Sequence, residues 1–186
     1  VFLNTLKKFM KLHTLVLILI FAWGCKPSSH IIARNNFNGL WKLQRVEKRD
    51  TSGEWREIKL WKGGTGYLIY DGQGHMAVQL TPAGYKDFNW LSESESGNPE
   101  KVKSKIDSLS VIELKMLLSK FSSTLTYFAT YKIREDTNII SHYRLSHSNP
   151  SGWNTKVERS YTFRGDTLIL QLPGFYSQRL IWIKQK

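Results

Sequence analysis

From residue 40 onward, short apolar runs alternate with polar residues, and Gly, Asp and Asn punctuate them every few positions. Leu40, Leu43 and Val46 open the first run, and residues 55–60 form a second after the Asp50-Thr51-Ser52-Gly53 turn. Residues 67–70 read as a buried strand, and His75 to Leu80 alternates with Met76, Val78 and Leu80 on one face. Between them, Asp71-Gly72-Gln73-Gly74 is a tight-turn signature, with Gly72 and Gly74 supplying the positive φ such a turn needs. After a polar stretch over 87–98, expected to be an exposed loop, the period changes. Ile106, Leu109, Ile112, Leu114, Leu117, Leu118 and Phe121 recur at helical spacing. Pro99 at a first turn, and Ser110 followed three residues later by Glu113, predict helices over 100–109 and 111–122. Strands resume at 125–134, 139–146, 156–163, 168–172 and 179–183. No helix follows each strand, which argues against a parallel sheet. The pattern predicts a mainly β fold: about 8–9 antiparallel strands in sequential hairpins, an up-and-down barrel or sandwich with one helical insertion at 99–122.

The amino terminus breaks this pattern. Lys7, Lys8 and Lys11 precede an apolar run over 12–21, and no acidic residue occurs before Cys25. A basic region, a short apolar core and small residues ahead of a cleavage point predict a signal peptide over 1–24, the start being Val1 or Met10. The run is too short for a comfortable membrane span of ~20 residues. Ala22-Trp23-Gly24-Cys25 resembles the lipobox of bacterial lipoproteins. That resemblance implies that Cys25 becomes the acylated amino terminus, with Lys26 behind it favouring the outer membrane of a bacterial envelope. Residues 25–38 are then expected to be a polar tether, and 39–186 a single domain. The only cysteine excludes an internal disulfide.

From residue 39 to the end, the chain resembles the bacterial lipocalin-like domain proteins. The matching residues are Gly39-Leu40-Trp41, the block 66–80, the run Tyr127-Phe128-Ala129-Thr130-Tyr131-Lys132-Ile133, the strand carrying His142, and the block 165–170. The resemblance implies a lipocalin-like barrel with an apolar cavity open at one end. It implies structural roles for Gly39, Trp41, Gly72 and Gly74. Trp41 would floor the closed end beneath a stacked cation, Arg159, Arg164 or Arg179, of which Arg179 on the last strand is preferred.

Barrel strands line the interior with alternate residues. The inward set is expected to be Tyr67, Ile69, Met76, Val78, Tyr127, Ala129 and Tyr131, because the opposite parity would turn Lys132 inward. His142 joins them if its face is inward. Inward tyrosines suit an amphipathic ligand better than a plain hydrocarbon, since each hydroxyl needs a partner. The helical segment either caps the open mouth or docks on the wall.

Aromatic residues make up 13% of the chain, which fits a sheet protein, and the formal charge is +12. The cations are spread along the chain, so a solvated face or contact with anionic lipid headgroups is expected and nucleic acid is not. A Ser nucleophile on a Gly-x-Ser-x-Gly elbow is absent, and the glycine run at 63–66 lacks the Lys-Ser/Thr of a phosphate loop. No cofactor or metal is called for, although His142 is the better axial candidate should the barrel hold haem. The expected protein is a monomeric, lipid-anchored binder of a small hydrophobic or amphipathic molecule. Two alternatives stay open: an isomerase or cyclase using His75 or His142 as acid or base, and a structural envelope module.

Overall fold

The computed structural model describes residues 36–86, 92–172 and 178–186. The signal-like segment, Cys25 and most of the expected tether lie outside these residues.

Nine strands form one antiparallel meander: β1 (Gly39–Arg49), β2 (Trp55–Glu57), β3 (Thr65–Tyr70), β4 (His75–Thr81), β5 (Leu125–Arg134), β6 (Ile139–His147), β7 (Lys156–Arg164), β8 (Thr167–Gln171) and β9 (Gln178–Lys184). Consecutive strands from β3 to β9 pair with one another, and β9 pairs back onto β1. The result is a closed eight-stranded barrel. β2 is the extra strand, paired only with the far end of β1, and residues 59–61 form a short 3-10 turn in place of the longer strand expected there. β1 serves three partners because it is long. Its first half meets β3, its second half meets β2, and its other edge runs along β9. A bulge at Gln44 lets it bend, so that Trp41 and Leu43 face inward before the bulge and Val46 after it.

Among the described residues, the segment between β4 and β5 holds three helices, α1 (Glu93–Ser96), α2 (Pro99–Asp107) and α3 (Val111–Ser123). α1 lies within the stretch expected to be loop. The Ser110–Glu113 capping box forms as expected, with Ser110 Oγ accepting from the Glu113 N–H. α3 buries only Leu117, and Phe121 meets Tyr85 edge-on at 6.0 Å.

One end of the barrel carries the turns at 71–74, 135–138 and 165–166. It is sealed by aromatic side chains. Phe37 is fully buried and stands edge-on to Tyr70, Tyr161 and Phe163 at 4.9–5.0 Å. Its carbonyl accepts the Trp41 indole N–H at 2.8 Å. The expected tether therefore does not extend to residue 38: Phe37 is a plug of the barrel. The 71–74 turn is held by Asp71, whose carboxylate accepts the N–H groups of Gln73, Gly74 and His75. Gly72 and Gly74 have φ of 72° and 112°, the left-handed region that favours glycine. The opposite end carries the β1–β2 hairpin, the helical insertion and the 148–155 loop.

Candidate functional site

Strand parity and pairing together define the inner wall. On β4 the inward residues are Met76, Val78 and Leu80, and on β5 they are Tyr127, Ala129 and Tyr131, as expected. On β3 the expectation fails. Leu68 pairs with Val78 and Tyr70 with Met76, so Leu68 and Tyr70 face inward, 1% and 0% exposed. Tyr67 and Ile69 lie on the outer face, 42% and 46% exposed. Lys132 points outward together with Phe128 and Thr130, so β5 keeps the parity expected of it while β3 takes the other.

β6 brings the polar part of the wall. From the plugged end, its inward positions are Ile140, His142 and Arg144. A bulge at Leu145 then places His147 beside Tyr127. Opposite them, β7 turns Val157, Arg159 and Tyr161 inward. His142 is fully buried, and both its ring nitrogens meet phenols: Nε2 the Tyr70 hydroxyl at 2.9 Å, Nδ1 the Tyr127 hydroxyl at 3.0 Å. Burial, reinforced by the Arg159 and Arg144 charges, pulls the imidazole down to about 3, so it is neutral at physiological pH. Burial likewise holds the Tyr70 phenol well above its ordinary range. A neutral imidazole carries one N–H and one bare nitrogen. One tyrosine therefore donates to the ring and the other accepts from it. The accepting hydroxyl keeps its own proton for a further partner.

The inner wall also holds polar atoms whose partners are missing. Among the described residues, Arg144 Nε, Arg159 Nη1, His147 Nε2 and Trp182 Nε1 are buried without a hydrogen-bond partner. Arg144 lies over the Tyr127 ring, its guanidinium carbon 5.9 Å from the centroid. Arg144 and Arg159 enter no ion pair among these residues.

The structure redistributes several expected roles. Trp41 is a core residue at the plugged end, 1% exposed, but its stacked cation is Lys184, with Nζ 5.2 Å from the ring. Arg179 instead lies on the outer face, 4.1 Å over Trp55 and 2.5 Å from Glu47. His75 is also outside the barrel, bound to Asp71 at the plugged end with its side chain 66% exposed, and stands apart from the interior triad. Because both His142 nitrogens are engaged by tyrosines, neither is open as an axial ligand. The sequence does not single out Tyr70, Arg144, His147, Arg159 and Trp182 as interior polar residues, and it offers Arg159 only as one possible cation over Trp41. The signal existed for two of them. Once His142 is inward, parity puts Arg144 inward too, and on β7 Arg159 interrupts an otherwise apolar face of Val157, Tyr161 and Phe163.

A closed antiparallel barrel, plugged by aromatics at one end and lined by mixed apolar and polar side chains, defines a calycin-type architecture. The lipocalin-like domain family matches residues 38–185, and the chain belongs to that family. Solved structures resembling it include a lipocalin-like protein from Bacteroides uniformis ATCC 8492 (12% identity, TM-score 0.39, covering 81% of this chain and 99% of that one). Another is an uncharacterized protein from Bacteroides eggerthii DSM 20697 (9% identity, TM-score 0.39, covering 80% and 99%). No curated protein matches the chain.

Proposed function

We propose that the protein binds a small amphipathic molecule inside the barrel. The observation that carries this reading is the inner wall. It is apolar over Leu68, Met76, Val78, Leu80 and Ala129, yet buries a hydrogen-bonded His142 and several donors without partners. A purely structural core avoids such groups, because an unsatisfied buried donor costs about 1–3 kcal/mol. A wall that a ligand completes does not carry that cost when occupied. The family and the barrel fold support the same reading. Quenching of tryptophan fluorescence during titration with fatty acids, retinoids and haem tests it. At least one ligand should give saturable binding. Ala129→Phe, which fills the wall beside Arg144, should weaken that binding by about tenfold or more. Ile69→Ala, on the outer face, should leave it unchanged. The absence of saturable binding by all of them would return the barrel to a structural role.

We further propose that the chain is an envelope lipoprotein held by acyl chains on Cys25. The support is the basic and apolar run ending on the only cysteine of the sequence. Several buried acyl chains, at about 0.8 kcal/mol per CH₂, give a stable anchor. In cells fed a fatty-acid probe the protein should be labelled, and Cys25→Ala should abolish the label. Label that persists in that variant refutes the anchor.

A further inference from the structure

The buried polar atoms of the inner wall that lack a partner share one chemical character. Arg144 Nε and Arg159 Nη1 are obligatory donors, and guanidinium keeps its charge at any physiological pH. Trp182 Nε1 is a donor only. His147 accepts the Asn149 N–H on Nδ1 at 2.8 Å, so its neutral ring carries the proton on Nε2, and that N–H is the buried atom without a partner. The Tyr70–His142–Tyr127 chain adds one hydroxyl proton, because a neutral imidazole donates to only one of its two neighbours. These four positions and the spare phenol proton thus present donors to the barrel interior.

Charge points the same way. Two carboxylates carried on the barrel strands, Glu158 and Glu47, turn to the outer face, while Glu135 lies in the 135–138 turn at the plugged end, where its charge acts on Tyr161. Glu158 bonds Ser141, Lys156 and Arg134, and Glu47 bonds Arg45 and Arg179. Register puts both guanidiniums on the inner face of neighbouring strands, Arg144 across from Ala129 and Arg159 across from Ile140, and the charges of both act on His142. Two guanidiniums facing a low-dielectric interior are costly unless an anion or ordered water meets them.

We infer that the barrel is built for an organic acid: an apolar body lying along Met76, Val78 and Leu80, with a carboxylate or equivalent oxyanion received by Arg144 and Arg159. This rests on the barrel being a small-molecule site. Arginine suits the task because its planar fork matches two carboxylate oxygens, and a charged acceptor roughly doubles the strength of each bond. The spare tyrosine proton is placed to donate to the same head group. His142 acts as a neutral spacer that positions both phenols.

Calorimetric titration near neutral pH with dodecanoate, dodecanol and acetate tests the inference. Dodecanoate should bind at least about tenfold tighter than dodecanol, which has the same chain without the charge, and acetate should compete only weakly. Arg144→Gln and Arg159→Gln should each weaken dodecanoate by about 10- to 100-fold and leave dodecanol within about twofold. Retained dodecanol binding shows that the variants are folded. If either variant loses its fold, Arg144→Lys and Arg159→Lys should keep part of the preference for the acid. Equal binding of dodecanoate and dodecanol by the unmodified protein, or an unchanged ratio in the arginine variants, overturns the inference and leaves amphiphile binding standing. That result would assign the guanidiniums to water. Acetate as tight as dodecanoate overturns the apolar body. Failure of both twelve-carbon probes overturns the small-molecule reading together with this one.

Discussion

Replacing Phe37 with alanine is expected to cost about 3–5 kcal/mol of stability, the range found when a fully buried aromatic is truncated in a packed core. The residue lies just outside the first strand, yet it has no exposed surface and touches three rings. Alanine would leave a void between Tyr70, Tyr161 and Phe163, and each lost edge-to-face contact contributes about 0.5–1.5 kcal/mol beyond buried area. The Trp41 indole would keep its bond to the carbonyl of residue 37, because that acceptor is backbone. The loss is therefore one of packing. Chemical denaturation followed by circular dichroism measures it, with Leu40→Ala as the control. Leu40 is three residues along on the outer face, 40% exposed, and its truncation should cost less than about 1 kcal/mol. Equal effects of the two changes would show that residue 37 does not plug the barrel in solution.

Acidification is expected to destabilise the protein before its carboxylates protonate, and His142 is the reason. In the unfolded chain a histidine titrates near its ordinary 6.5, whereas in the fold His142 is held to about 3. The unfolded state therefore binds a proton between these values and the folded state does not. Stability is fully present above about pH 6.5 and is lost as the pH falls toward 3. The slope approaches about 1.4 kcal/mol per pH unit, a loss of about 3 kcal/mol by pH 4.5. His147 adds in the same direction, because burial and then the Arg144 charge also lower it. Urea unfolding at a series of pH values gives the slope directly. His142→Gln keeps a donor and an acceptor for the two phenols but cannot titrate, and should lose most of the slope between pH 6.5 and 4.5. A slope that survives the change would place the acid-sensitive group elsewhere.

The alternation on β4 and on β5 exposes a single face that can be buried, and this is why Met76, Val78, Tyr127, Ala129 and Tyr131 are legible as inner-wall residues. The glycines of the 71–74 turn and the capping box at Ser110 are equally local devices, and they form where the pattern puts them. β3 is different. Tyr67, Leu68, Ile69 and Tyr70 are apolar on both faces, so hydrophobicity cannot choose between them. The choice falls to the four-residue turn 71–74, which sets the register that pairs Tyr70 with Met76. Phe37 is hidden for a related reason. A lone aromatic in a polar stretch has no period, and only a closed barrel end with three rings around it makes that position core.

Local chemistry thus determined much about this protein: a meander of antiparallel strands, its turns, the helical insertion and most of one face of the wall. Each of these depends on residues within a few positions of one another, where steric and periodic rules act directly. The triad of Tyr70, Tyr127 and His142 spans 72 positions from first to last, and Arg144 and Arg159 join it from two further strand positions. No spacing rule relates such residues. Closure of β9 onto β1 and the bulges at Gln44 and Leu145 decide which side chains share the interior, because a one-residue shift in register turns a whole strand face from inside to outside. The same closure sets the electrostatics, since burial, with the charges of Arg159 and Arg144 added, is what keeps the His142 imidazole neutral down to about pH 3.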